Sequence, residues 1–277
     1  MKDIKSITKD SVSSVTHVLT DIDDTLTREG LLEAQAFTAI WDLHNAGISV
    51  IPVTGRPAGW CDCIVRQWPV EGIVGENGAF IFYRDEGKIK ELINPENPKG
   101  KEQLRNTNEK RKDDTSFDEV WQAVKKEVPA ARIARDQFSR MFDLAIDFRE
   151  DEPKLPFSTA EKIKKICNTH GAEAKISSIH VNTWFGTYDK LSMVRYYFDH
   201  RHGWKDEEIQ TRIFYCGDSP NDEPMFAFFP KSCGVANIET FLTTMVSLPI
   251  YKTNLIGGSG FAEFTKRLLA LLHTEKQ

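Results

Sequence analysis

Three short apolar runs, Val15 to Thr20, Ile48 to Val53 and Ile213 to Cys216, constrain the fold of this chain most strongly. Ile48 to Val53 is almost continuously apolar instead of alternating, as a strand covered on both faces must be. Between the first two lies a helical stripe of Leu32, Ala36, Ala39, Ile40 and Leu43, with Gly47 placed to end it. Pro57 suits the first turn of a second helix running through Cys61, Ile64 and Val65. Strand, helix, strand, helix in that order requires right-handed crossovers. The fold class that follows is α/β, with a Rossmann-like parallel sheet.

The rhythm changes after Glu76-Asn77-Gly78, which reads as a hairpin turn between Ile73-Val74 and Phe80-Ile81-Phe82. Polar residues from Asn94 to Asp114 read as a surface loop, and Phe117, Val120, Trp121, Val124 and Val128 make a helical stripe. From Phe142 to Phe148 apolar residues alternate with Asp143, Ala145 and Asp147, the pattern of a half-exposed strand. Ser158 or Thr159 is placed to cap a helix ending at Gly171, and a strand follows, ending near Val181. After Lys190 to His202, an amphipathic segment, the buried pattern returns and closes on a helix from Phe261 to Leu272. The expected organisation is a loosely held leader, residues 1–14, and a discontinuous core, 15–82 plus 188–277. An α+β domain, 83–187, is inserted between the two halves of the core.

Composition narrows the partners. With 36 Lys+Arg against 41 Asp+Glu the net charge is −5, which argues against a general affinity for nucleic acid. No apolar run approaches the roughly 20 residues of a bilayer span, and the first residues lack the apolar stretch of a secretory signal. Five cysteines without paired C-x-x-C spacing give neither a disulfide framework nor a cysteine zinc site, so Cys61 and Cys63 read as buried or inert thiols. The expectation is a cytoplasmic globular protein whose partner is a small molecule. Its oligomeric state is not readable.

Carboxylates gather where the strands end. Asp21 and Asp23 follow the first apolar run, and the period of two in extended chain turns both to one side. Asp218 and Asp222 take the matching place after Ile213 to Cys216, and Thr54 does so after Val53. Open α/β sheets bind ligands at the carboxyl ends of their strands. Converging carboxylates repel, and a hard cation such as Mg²⁺ relieves the repulsion through oxygen ligands. Taken singly, each motif has a plainer reading: a cap or turn for D-x-D and GDSPND, a loop for Thr54-Gly55-Arg56-Pro57, a solvated lysine for Lys190.

Taken together, the motifs resemble the haloacid dehalogenase superfamily of phosphohydrolases. D-x-D-x-T matches Asp21-Ile22-Asp23-Asp24-Thr25, and the strand-ending Thr matches Thr54. The helix-opening Lys matches Lys190, and G-D-x-x-N-D matches Gly217 to Asp222. The insertion between Thr54 and Lys190 looks like the α/β cap of the sugar-phosphatase-like branch. NDEPMF and GGSGFAEF look similar to mannosyl-3-phosphoglycerate phosphatases and, more distantly, sucrose-phosphate phosphatases.

The resemblance implies a Mg²⁺-dependent phosphomonoesterase for a phosphorylated sugar or related metabolite. Asp21 would be the nucleophile and Asp23 the general acid and base. Asp21, Asp218 and the carbonyl of Asp23 would hold Mg²⁺, with Asp222 and Asn221 behind them and Asp222 orienting the metal or pairing with Lys190. Thr54 and Lys190 would hold the phosphoryl oxygens, while Thr25 reads as a structural hydroxyl. Gly55 permits close backbone approach, and Arg56 either reaches substrate or forms a structural ion pair. In the insertion, His180, Asn182 and Trp184 alternate along a strand and are candidates to meet a sugar, although Trp184 has a core reading and His180 an ordinary one. A phosphomutase or phosphotransferase would use the same phosphoaspartate, and a phosphate- or sugar-sensing module is the non-enzymatic alternative.

Overall fold

The computed structural model describes residues 1–98, 115–177 and 179–272. Its main sheet has six parallel strands in the order Lys2–Asp3, Tyr251–Lys252, Ser232–Gly234, Ile213–Gly217, His17–Thr20, Ser49–Pro52. The two central strands pair Ile213 with His17 and Cys216 with Thr20, and Ser49–Pro52 continues the register from His17↔Ser49 to Thr20↔Pro52. Adjacent residues of each central strand enter opposite cores. Val18, Val50 and Phe214 pack on one face with Phe261, Phe264 and Leu268 of the helix Gly257–Leu272. Leu19, Ile51 and Tyr215 pack on the other face with Val194, Tyr197 and Phe198 of the helix Lys190–His202. Such two-sided burial explains why the runs do not alternate.

The first residues are not a loose leader. Lys2–Asp3 is the sheet's edge strand, pairing with Tyr251 and Lys252, and Ile4, Ile7 and Val12 are buried in the core. These apolar residues are spaced among Lys and Ser, so local composition hides their burial. The hairpin expected at Glu76-Asn77-Gly78 is present, with Ile73 paired antiparallel to Phe82 and Val74 to Ile81, and its turn is left-handed, with φ of 44°, 55° and 103° at the three residues. It joins Gly72–Gly75 to Phe80–Asp85, and Lys88–Ile93 completes an antiparallel sheet of three strands. A parallel bridge between Val53 and Val74 fastens that sheet to the main one, and Phe82, Ile89, Ile93, Tyr83 and Leu92 pack into the two core clusters. The core's first segment therefore extends past residue 82, to Ile93.

The inserted layer is an antiparallel sheet in the order Glu173–Ile176, His180–Trp184, Leu144–Asp147, Arg132–Ile133. It is covered by the helices Thr115–Glu127 and Phe157–Thr169 through Val120, Val124, Ile163 and Cys167. Leu144–Asp147 is buried at every position, not half-exposed. Asp143 and Asp147 alternate with apolar neighbours because each meets a buried or half-buried arginine: Arg140 Nη1 at 3.0 Å from Asp143 and Arg132 at 3.0 Å from Asp147. Asn94, expected on the surface, is buried and donates to the carbonyl of Gly78 at 3.0 Å. Most of the expected surface loop, residues 99–114, lies outside the described residues. Among the described residues, no helix is long and apolar enough to cross a membrane, and all five cysteines are free, with Cys61 buried and Cys63 exposed.

Candidate active site

At the carboxyl edge of the main sheet the strand ends converge. Asp21 leaves its strand with its N–H donating to the carbonyl of Cys216 at 2.9 Å, which locks it beside the strand that leads to Asp218. Lys190 opens its helix, held there by an N-cap at Asp189 whose carboxylate accepts the N–H of Ser192 at 2.7 Å. From that position the Lys190 ammonium donates to Asp21 Oδ1 at 2.7 Å and to Asp222 Oδ1 at 2.8 Å. Asp222 is fully occupied: Oδ1 also accepts the Tyr215 hydroxyl at 2.6 Å, and Oδ2 accepts the N–H of Asp218 at 3.0 Å. Asp218 accepts the Thr25 hydroxyl at 3.3 Å and the Asn237 amide at 2.9 Å. Thr54 is buried nearby, its hydroxyl accepting the N–H of Arg56 at 3.1 Å.

Three buried carboxylates here face one ammonium, and the titration behaviour reflects the excess of negative charge. Burial pushes the Asp21 carboxyl up to about 8, with Asp222 and Asp23 adding to the effect and Lys190 opposing it. Burial likewise raises Asp218 well above the ordinary carboxylate value, and the charges of Asp21 and Asp222 push it further. For Lys190, burial favours the neutral amine, but the two carboxylates outweigh it and hold the pKa above the usual lysine value. Oxygen atoms from Asp21, Asp218 and Asp222 lie within 4.8 Å of one another. All of these donors are hard oxygens and the local charge is negative, so the set fits a hard divalent cation. Each Asp222 oxygen accepts two donors, Lys190 and Tyr215 at Oδ1 and the N–H groups of Asp218 and Ser219 at Oδ2, whereas each Asp218 oxygen accepts one, so Asp21 and Asp218 keep lone pairs to hold one.

Asp23 is turned away from that cluster. Its carboxylate receives a fork from Arg56, Nη2 at 2.7 Å and Nε at 3.0 Å. Arg56 is buried, lies over the Trp60 ring at 4.3 Å, and reaches across to the inserted domain, where Nη1 meets Glu150 at 3.2 Å. Glu150 in turn meets His180 Nε2 at 2.8 Å. Burial disfavours the Arg56 charge, but Asp23 and Glu150 more than offset this and hold its pKa above the ordinary arginine value. The Asn182 amide donates to the carbonyl of Gly55 at 3.1 Å, while its Oδ1 is buried without a hydrogen-bond partner. A Cβ on Gly55 would stand 2.6 Å from Asn182 Nδ2, so the glycine is what lets the two domains touch here. Asp21, Asp23, Arg56, His180, Asn182 and Asn221 line one cleft between the core and the inserted domain.

The haloacid dehalogenase-like hydrolase family matches residues 18–254. The chain belongs to that family. Solved structures of similar fold include a putative HAD/COF-like hydrolase from Plasmodium vivax, 16% identical, TM-score 0.66, covering 94% of this chain and 97% of that one. A Thermoplasma acidophilum protein is 16% identical with TM-score 0.64, covering 92% and 98%. The sucrose-phosphatase from Synechocystis, solved with sucrose and phosphate, is 14% identical with TM-score 0.61, covering 93% and 98%. At these identities the likeness is one of fold. No curated protein matches the sequence.

One of the hydrolase's expected site residues lies elsewhere. Trp184 is buried in the core, its indole N–H donating to the carbonyl of Tyr188 at 3.1 Å and its ring stacked on Tyr188, so it packs the return to the core and does not line the cleft. Asn221 accepts the Ser219 hydroxyl at 2.7 Å and shapes its loop. Four residues that sequence reasoning passed over do shape the site: Glu76, Arg140, Glu150 and Asn237. The buried Glu76 carboxylate accepts four backbone N–H groups, from Ala58, Met141, Phe142 and Asp143, so it ties both domains together. Arg140 donates to the carbonyl of Gly55 at 3.0 Å. Only Glu76 carried any sequence signal, as part of the hairpin turn, and that signal said nothing of the contacts its carboxylate makes.

Proposed function

We propose that the protein is a Mg²⁺-dependent phosphomonoesterase for a small phosphorylated sugar or related metabolite, working through a phosphoaspartate on Asp21. The observation that carries this reading is the Lys190 bridge between Asp21 and Asp222, with Asp218 alongside and the inserted domain delivering His180 and Asn182 to the same cleft. The names of fold neighbours support the substrate class: one is a sucrose-phosphatase and another is related to trehalose-6-phosphate phosphatase.

Asp21 attacks phosphorus as the bond to the sugar oxygen breaks, and Asp23 gives its proton to that oxygen. Water then attacks the phosphorus of the aspartyl phosphate, its proton passing to Asp23, and phosphate leaves with Asp21 regenerated. Lys190 and the Thr54 hydroxyl stabilise the phosphoryl oxygens. Asp21 and Asp218 would hold Mg²⁺, which would supply charge neutralisation for the approach of two anions. The Arg56 fork aims the Asp23 carboxylate, and the unpartnered Asn182 Oδ1 is an acceptor for a substrate hydroxyl.

A panel of phosphosugars assayed for phosphate release, with Mg²⁺ or with excess chelator, tests this reading. Release from at least one sugar phosphate is expected only with Mg²⁺; full turnover in chelator, or transfer to an alcohol in place of release, defeats it. Acid quench of labelled substrate with the Asp23→Asn variant should trap hydroxylamine-labile phosphate on Asp21. Asp21→Asn should trap none.

A further inference from the structure

A second cluster lies at the opposite end of the same strand. His17 opens the strand that runs into Asp21, so the two are four residues and roughly 13 Å apart along the backbone. Glu71 precedes the strand Gly72–Gly75, and His202 is the last residue of the helix that Lys190 opens. One ligand atom from each of His17, Glu71 and His202 falls within 4.8 Å of the others.

Both imidazoles stand in loose ion-pair contact with the Glu71 carboxylate. His17 Nε2 stands 3.3 Å from Glu71 Oε2, and His202 Nε2 stands 3.8 Å from Glu71 Oε1. Elsewhere in the chain, His180 and Glu150 close to 2.8 Å. His17 Nε2 is buried and faces the Glu71 carboxylate without a well-formed hydrogen bond. Donors held at about 2.0–2.1 Å in a tetrahedron lie roughly 3.3 Å apart, so the stand-off matches ligands around an ion.

The surroundings also fix the donors. The other nitrogen of His17, Nδ1, is hydrogen-bonded to the Thr16 hydroxyl at 2.8 Å, which leaves Nε2 as the coordinating atom. Glu71 Oε1 accepts the Tyr197 hydroxyl at 2.7 Å. The His202 ring stacks on Trp204 at 4.7 Å, and its side chain is 29% exposed, giving an ion an entry path.

We propose that His17, Glu71 and His202 bind one divalent transition-metal ion of the Zn²⁺ class, separate from the carboxylate cluster at the catalytic end. Two imidazoles and one carboxylate select Zn²⁺, Co²⁺ or Ni²⁺ over Mg²⁺, with a further position left to water. The ion joins the start of the central strand to the end of the Lys190 helix. It acts on the stability of that helix and takes no part in phosphoryl chemistry.

The test uses tag-free, metal-stripped full chain and Co²⁺ or Zn²⁺ alone as probe. In an Asp218→Asn background, which disables the carboxylate cluster, Co²⁺ should give the visible absorption of a four-coordinate nitrogen–oxygen site at one equivalent. Zn²⁺ should displace it and raise the melting temperature. His202→Ala, a change at an exposed side chain, should weaken Zn²⁺ binding on the order of 100-fold by calorimetry while circular dichroism stays unchanged. Absence of the Co²⁺ band in the Asp218→Asn protein overturns the proposal, as does undiminished affinity in His202→Ala. The readouts do not involve hydrolysis, so they stand or fall apart from the phosphatase reading.

Discussion

Arg56 joins the two halves of the cleft with one side chain. Its guanidinium has few places to put a buried charge, and it divides its donors between Asp23 of the core and Glu150 of the inserted domain. Lysine cannot reproduce a planar fork, so Arg56→Lys should behave almost like Arg56→Ala. Truncating one member of a buried, hydrogen-bonded charge pair costs about 2–5 kcal/mol. If part of that falls on the aim of Asp23, kcat for a phosphosugar drops by roughly 30-fold or more in both variants. Steady-state kinetics check this, and a Lys variant with wild-type kcat would show that Asp23 needs no fork. His180→Ala differs, because it touches Glu150 and not Asp23. It should alter selectivity among phosphosugars more than hydrolysis of a small generic ester.

At the scale of elements, the kink Glu76-Asn77-Gly78 sets where the Lys190 helix begins. A Cβ on Gly78 would lie 2.0 Å from the carbonyl oxygen of Asp189, the residue that caps that helix, and the glycine has a φ of 103°. The clash is with backbone and cannot relax by rotating a side chain. Gly78→Ala should therefore cost about 3 kcal/mol or more in urea denaturation, the sum of overpacking and positive-φ strain. Gly87 is the control: its φ is 75°, yet nothing lies within 4 Å of its Cβ position, so Gly87→Ala should cost only about 1 kcal/mol. Equal losses at the two sites would mean that the helix start is not held by this contact. Activity should follow the same order, because moving Asp189 moves Lys190 off Asp21.

Across the whole molecule, a few polar contacts dock the inserted domain on the core, and their charges give the docking a pH dependence. The Glu150 carboxyl is held down at about 2, chiefly by its hydrogen bond to His180; burial opposes this, and the charges of His180 and Arg56 reinforce it. A carboxyl with a folded pKa below its unfolded 4.5 adds stability above pH 4.5 and loses it as the pH falls toward 2. Glu150 is about one-third exposed, with 35% of its side chain accessible, so solvent screening makes that contribution modest. Melting temperatures followed from pH 6 to pH 2 should fall less steeply for Glu150→Gln than for the wild type. Parallel curves would assign the acid sensitivity to other carboxylates.

The parallel sheet was legible from sequence because burial on both faces leaves a signature no surface strand imitates, as at Val18-Leu19 and Phe214-Tyr215. The placing of Asp21, Asp23, Thr54, Lys190 and Asp218 was legible because local structure fixes a strand end or a helix start. Tertiary structure alone decided what those residues do to one another. Of the alternatives the motifs left open it chose the Asp222–Lys190 pair and a core place for Trp184, and it turned Asp23 onto Arg56. Glu150 lies 94 residues from its partner Arg56 and Asn237 lies 19 from its partner Asp218, separations over which no strand or helix period carries information. The buried arginines explain the remaining misreading: Asp143 and Asp147 look like solvent-facing residues until Arg140 and Arg132 arrive to satisfy them. A local pattern reports whether a residue is polar, and only the packed chain supplies the counter-charge that lets a polar residue be buried.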